Sequence, residues 1–129
     1  MIAVDTNILI RVLTKDDPVQ AKRAAQLMED NKIFIAKTVI LETEWVLRHA
    51  YAIDRNTIYQ AFRKLFGLPN VHVEDPKSLF RAILWYEAGL DFADALHLAS
   101  GLKAETFATF DKMMTQKASK LTSIKFITP

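Results

Sequence analysis

Short apolar runs alternate with longer helix-patterned segments along this chain, and that order limits the available folds more than any single residue does. The brief runs are Ile2–Val4, Ile33–Ile35, Val71–Val73, Thr106–Phe110 and Lys125–Ile127. Between them, apolar residues recur at helical spacing over about 7–13, 18–30, 39–51, 55–66, 76–88, 92–102 and 112–120. Strands separated by helices are characteristically joined by crossovers, an order that reads as mostly parallel pairing beneath a helical cover. The spacing therefore predicts an α/β fold with a mostly parallel sheet. Pro18 and Pro76 stand where helices begin, and Gly67 and Gly89 where helices end. No linker or repeat interrupts the pattern, so residues 1–129 are expected to form one domain. A chain of that length buries about two-thirds of its unfolded surface.

Composition narrows the chemistry. Seventeen basic and fifteen acidic residues leave a net charge of +2, a mild bias compatible with a nucleic-acid partner but insufficient to require one. The absence of cysteine excludes disulfides, thiolate nucleophiles and Cys-based zinc sites. Asp5 and Arg11 interrupt the apolar N-terminus, which does not read as a signal peptide. No stretch supplies the roughly 18 apolar residues of a membrane span. A cytoplasmic protein without a membrane partner is expected.

Ligands of open parallel sheets bind at the carboxyl ends of the strands, where this chain places Asp5 and Asp111. Asp5-Thr6-Asn7 has two readings: a helix cap, or a carboxylate delivered to a cleft with Asn7 orienting it. Glu42, in "TVILETEWVLRHAY", falls between Trp45 and Val46 on the helical wheel, in the same sector as Val39. A carboxylate in that sector needs a partner or a cation. Glu44 has a surface explanation, since it precedes Arg48 by four residues. In "GLDFADALHLAS", Asp91 reads as the N-cap of a helix, and Asp94, at the third helical position, either completes the cap or projects into the cleft. His97 reads as a packed residue rather than a ligand. His49 and His72 lack metal-ligand spacing, and neither a Ser-His-Asp grouping nor a glycine-rich phosphate loop is present. Carboxylate chemistry is what remains.

"VDTNILIR", "LETEWVLR", "LDFADALHLA" and "FATFD" occur in an order and spacing that resembles the PIN domain, specifically the toxin ribonucleases of VapBC toxin–antitoxin modules. The likeness spans nearly the whole chain. It implies a five-stranded, mostly parallel sheet flanked by helices, and an acidic centre of Asp5, Glu42, Asp94 and Asp111 with Asn7 and Thr109 in support. It also implies Mg²⁺ or Mn²⁺ dependence, a homodimer, and inhibition by a cognate VapB-like antitoxin. Elementary electrostatics agrees, because crowded carboxylates repel unless hard divalent cations neutralise them.

The expected reaction is in-line attack by a metal-activated water on an RNA phosphodiester, leaving 5′-phosphate and 3′-hydroxyl ends. Asp5 and Asp94 are expected to share a metal, with Glu42 and Asp111 holding a second ion, binding waters or assisting deprotonation. Arg11 and Lys112 are candidate RNA contacts, as are Lys15, Arg48 and Lys117. Trp45 and Phe110 could stack on bases, although core packing is the expectation for both. The apolar surface of helices 18–30 and 39–51 suits a second copy or an antitoxin. Two other readings compete. One is a PIN-fold module that binds RNA or a partner without catalysis. The other is a haloacid-dehalogenase-like phosphatase, whose opening motif needs a second Asp where Asn7 stands.

Overall fold

The computed structural model describes all residues, Met1–Pro129, as alternating helices and short parallel strands. The chain divides into two compact units, Met1–Pro76 and Lys77–Pro129.

The first unit runs β1 (Ile2–Ala3), α1 (Thr6–Thr14), α2 (Pro18–Asp30), β2 (Ile33–Ile35), α3 (Lys37–His49), α4 (Arg55–Phe66) and β3 (Val71–Val73). Its strands pair in parallel in the order β1-β2-β3, with Ile2 opposite Ile33 and Ile33 opposite Val71. Each crossover contains two helices, which cover apolar strands. Ile33, Ile35, Leu9, Ile40, Ile58 and Phe62 are fully buried. Removing an aliphatic side chain of this size from water is worth about 1.5–3 kcal/mol. Aspartates start three of these helices: Asp5, Asp17 and Asp54 each accept a hydrogen bond from the backbone N–H three residues on, at 3.1, 3.1 and 2.8 Å. Pro18 occupies the first turn of α2, as its fixed φ favours.

Helix α3 begins two residues earlier than its sequence pattern indicates, because its cap is remote. Ala36 offers no side-chain cap. Instead Glu74, in the loop after β3, accepts from the Lys37 N–H at 2.9 Å, satisfying a donor that would otherwise be orphaned. The phase of α3 also differs from expectation. Glu44 is the buried acid, only 1% exposed, on a face with Ile40, Thr43 and Leu47; Glu42 is exposed. Both faces of this helix carry apolar residues, so the wheel alone could not decide which one faces inward. The surface ion pair expected for Glu44 is instead a half-buried fork, with Arg48 donating from Nε at 2.7 Å and from Nη2 at 3.4 Å. Trp45, expected in the core, is 57% exposed and rests against the His49 ring at a centroid distance of 4.8 Å.

The second unit contains α5 (whose first residue, Pro76, closes the first unit; Pro76–Glu87), α6 (Phe92–Ser100), a 3-10 turn at Leu102–Ala104, β4 (Thr106–Ala108), α7 (Lys112–Ser119) and β5 (Lys125–Ile127). Strands β4 and β5 are parallel, with Phe107 opposite Phe126. Tyr86 packs edge-on against Phe92 at 5.3 Å between centroids, within a core that includes Leu79, Leu90 and Leu98. Gly89, with φ of +114°, makes the turn between α5 and α6 that a side chain would strain. The five strands thus form parallel sheets of three and two strands rather than the single five-stranded sheet expected. Strand β1 spans two residues, because Asp5 turns the chain into α1 immediately after Val4, and it pairs with β2.

Removing Arg48 would take two guanidinium donors from the buried Glu44 carboxylate. Arg48→Met is therefore expected to lower unfolding stability by about 2 kcal/mol in urea titration, less than the full cost of breaking a buried pair because the guanidinium is partly exposed.

Candidate active site

Asp5 emerges from β1 in an extended conformation, φ −94° and ψ 178°, and its Oδ1 caps α1 by accepting from the Ile8 N–H. Its other oxygen accepts no hydrogen bond, so a cap and a ligand are compatible roles for one carboxylate. The next residue was not legible as a site element. Thr6 shares the buried face of α1 with Leu9 and Ile10, and a hydroxyl there needs an acceptor. Thr6 Oγ1 finds one in Glu42 Oε1, binding α1 to α3. The signal was present in the spacing of Thr6, Leu9 and Ile10, at i, i+3 and i+4.

Asn7, expected to orient Asp5, is exposed and makes no hydrogen bond to it. It lines a cavity of about 390 Å³ with Ile8, Arg11, Gln20, Arg23 and Leu27. Arg11 is largely committed within the protein. Its Nη1 donates to Asp16 at 2.9 Å and its Nε to Gln20 at 2.7 Å. Asp16 also accepts from the Tyr51 hydroxyl at 2.6 Å, and that bond, with those from Thr14 and Arg11, holds its carboxyl below the usual range. A phosphate at Arg11 would have to share the guanidinium with these partners.

In the second unit Asp91 caps α6, accepting from the Asp94 N–H at 3.1 Å. Asp94 follows at the third helical position, half-buried and without a hydrogen bond to its carboxylate. Burial raises its pKa first, and the neighbouring charges of Asp91 and Asp111 raise it further, partly opposed by His97. His97 is exposed rather than packed as expected. Asp111 caps α7 through Met114 N–H at 3.0 Å. Thr109 supports it: the Asp111 N–H donates to Thr109 Oγ1 at 3.0 Å, while the Thr109 N–H donates to Ile127 O at 3.0 Å. These bonds turn the chain out of β4, which ends at Ala108 rather than Phe110. Asp91, Asp94 and Asp111 line a cavity of about 210 Å³ with Leu90, Met114 and Lys117. The Lys117 ammonium lies 3.5 Å from Gly89 O. Phe110, also expected in the core, is 74% exposed.

These oxygen donors suit a hard divalent cation. No three His, Asp or Glu side chains are close enough to form a preformed metal cage. Magnesium does not require one, since it is commonly bound by one or two carboxylates, waters and substrate phosphates.

A family model described as the PIN domain matches residues 2–120. This chain belongs to the PIN-domain family. The match runs through both compact units and includes Asp5, Glu42, Asp94 and Asp111. PIN domains are generally nucleases, that is, hydrolases of nucleic acids. Comparison with curated proteins found no significant match. No helix of this PIN domain is long and apolar enough to cross a membrane.

The raised pKa of Asp94 means that its ionised form penalises the folded state. That penalty is fully present above the folded-state pKa and fades as pH falls through it toward the ordinary value of 3.8. Asp94→Asn should therefore raise the midpoint of urea unfolding at pH 7 in the presence of EDTA. The gain should shrink on acidification through the same window, as the carboxyl of the parent protein becomes neutral.

Proposed function

We propose that this PIN domain is an Mg²⁺- or Mn²⁺-dependent endoribonuclease and the toxin of a VapBC-type pair, working as a homodimer and restrained by a VapB-like antitoxin. The observation that carries the catalytic reading is the Asp94 carboxylate, half-buried without a hydrogen-bond donor in a cavity that Asp91 and Asp111 also line. Such a group is held ready for a cation. The toxin assignment rests on the likeness of "VDTNILIR", "LETEWVLR", "LDFADALHLA" and "FATFD" to that branch of the family.

By the family resemblance, Asp5, Glu42, Asp94 and Asp111 would hold the cation and its waters. Once bound, it would supply a polarised water and offset charge on the phosphate. Thr6 fixes one Glu42 oxygen, leaving the other to accept a proton from the attacking water. The α7 cap fixes one Asp111 oxygen, and Thr109 holds the Asp111 backbone N–H. Lys112, exposed at the first position of α7, would neutralise a neighbouring RNA phosphate. A second reading, a PIN-fold module that binds RNA or a partner without catalysis, shares the fold and differs only in lacking cleavage.

The charge-removing variants have a structural advantage, because Asn caps a helix about as well as Asp does. Asp5→Asn should therefore keep α1 intact. RNA incubated with the parent and Mg²⁺ or Mn²⁺ should be cut to 5′-phosphate and 3′-hydroxyl ends, and EDTA, Asp5→Asn or Asp94→Asn should each reduce the rate at least 100-fold, an effect on the scale of losing a group that stabilises transition-state charge. Cleavage undiminished in both variants would rule out this acidic set. A 2′,3′-cyclic end would replace water attack with attack by the 2′-hydroxyl, and no cleavage by the parent would favour the inert module.

A further inference from the structure

Phe110 is the most exposed phenylalanine or tryptophan in the chain, and it directly precedes Asp111. A large apolar residue before a helix N-cap ordinarily packs against the fourth helical residue. Here that residue is Thr115, whose hydroxyl is engaged with Asp111 O at 3.1 Å. Phe110 itself stays 74% exposed, and it makes no contact with another aromatic ring. Met113, in the following turn, is 66% exposed and lines the cavity with Asp94 and Asp111. Lysines accompany this apolar surface: Lys112 is exposed without an ion-pair partner, and Lys117 lines the same cavity.

Exposed apolar surface alone suits many occupants. The ammonium groups of Lys112 and Lys117 beside an exposed ring, with Met113 reaching the cavity, select a polyanion whose units have flat apolar faces, which is single-stranded nucleic acid. We infer that Phe110 is a stacking platform for a nucleobase of single-stranded RNA beside the bond to be cut, with Met113 extending the platform and Lys112 opposing the adjoining phosphate. The inference rests on the endoribonuclease reading above and adds a positioning residue to it. A duplex keeps its bases stacked on one another, so this platform favours unpaired RNA.

The test measures binding separately from cleavage. In the Asp94→Asn background, without divalent metal, affinity for a short single-stranded RNA is compared among Phe110, Phe110→Ala, Phe110→Leu and Phe110→Tyr. Loss of one base–aromatic stack should weaken binding about 5- to 100-fold in Phe110→Ala. Tyr should restore affinity and Leu should not, since stacking requires a flat ring. Phe110→Trp in the same background should show fluorescence quenching on RNA addition beyond that of a control retaining Phe110. In the active protein, Phe110→Ala should raise KM with kcat largely retained.

Equal affinity in Phe110→Ala and the parent would overturn the inference, as would restoration by Leu. A change in oligomeric state with RNA affinity unchanged would overturn it too, assigning the ring to a protein contact. If the parent fails to cut RNA but binding still depends on the ring, the ribonuclease reading falls and the platform stands. Metal-dependent cutting with no dependence on Phe110 gives the opposite result.

Discussion

Aspartate at the junction of an extended segment and a helix is the interaction on which the candidate site depends. Asp5, Asp91 and Asp111 each accept from a backbone N–H at the start of the following helix. The bond fixes one side-chain oxygen and holds the carboxylate near the positive end of the helix dipole. At Asp5 and Asp111 the other oxygen retains lone pairs for chemistry. A cap is therefore a means of presenting a carboxylate, and the structural and catalytic explanations of these residues do not compete.

Asp94 differs because it is not a cap. Lying on the first turn of α6, partly desolvated beside Asp91 and Asp111, it carries an electrostatic strain that no hydrogen bond relieves. Its raised pKa expresses that strain. The adjoining helix α7 contributes three things from a short run of chain: an aligned carboxylate at Asp111, an ammonium at Lys112, and apolar surface at Phe110 and Met113.

Helix α3 shows where pattern reading reaches its limit. Its apolar residues extend around most of the cylinder, so the sequence could not distinguish the side bearing Glu42 from the side bearing Glu44. Packing put Ile40, Thr43, Glu44 and Leu47 inward. Burial of Glu44 is tolerable because Arg48 meets it with a fork of donors. Glu42 stays outside, where it still gains a partner in Thr6. The start of the same helix was also hidden, because Glu74, far along the chain, supplies its cap.

By itself the sequence determined the alternation of strands and helices, the helix starts at Pro18, Arg55, Pro76, Phe92 and Lys112, and the four acids that characterise the family likeness. These are local properties: periodicity, fixed proline geometry and the capping chemistry of Asp act over a few residues. Tertiary structure alone decided that the strands pair as sheets of three and two, that Glu44 rather than Glu42 is buried, that Thr6 rather than Asn7 supports an acid, and that Trp45 and Phe110 face outward. The strand pairing and the Thr6–Glu42 bond depend on partners distant in sequence, and which face of α3 turns inward depends on which apolar surfaces pack together.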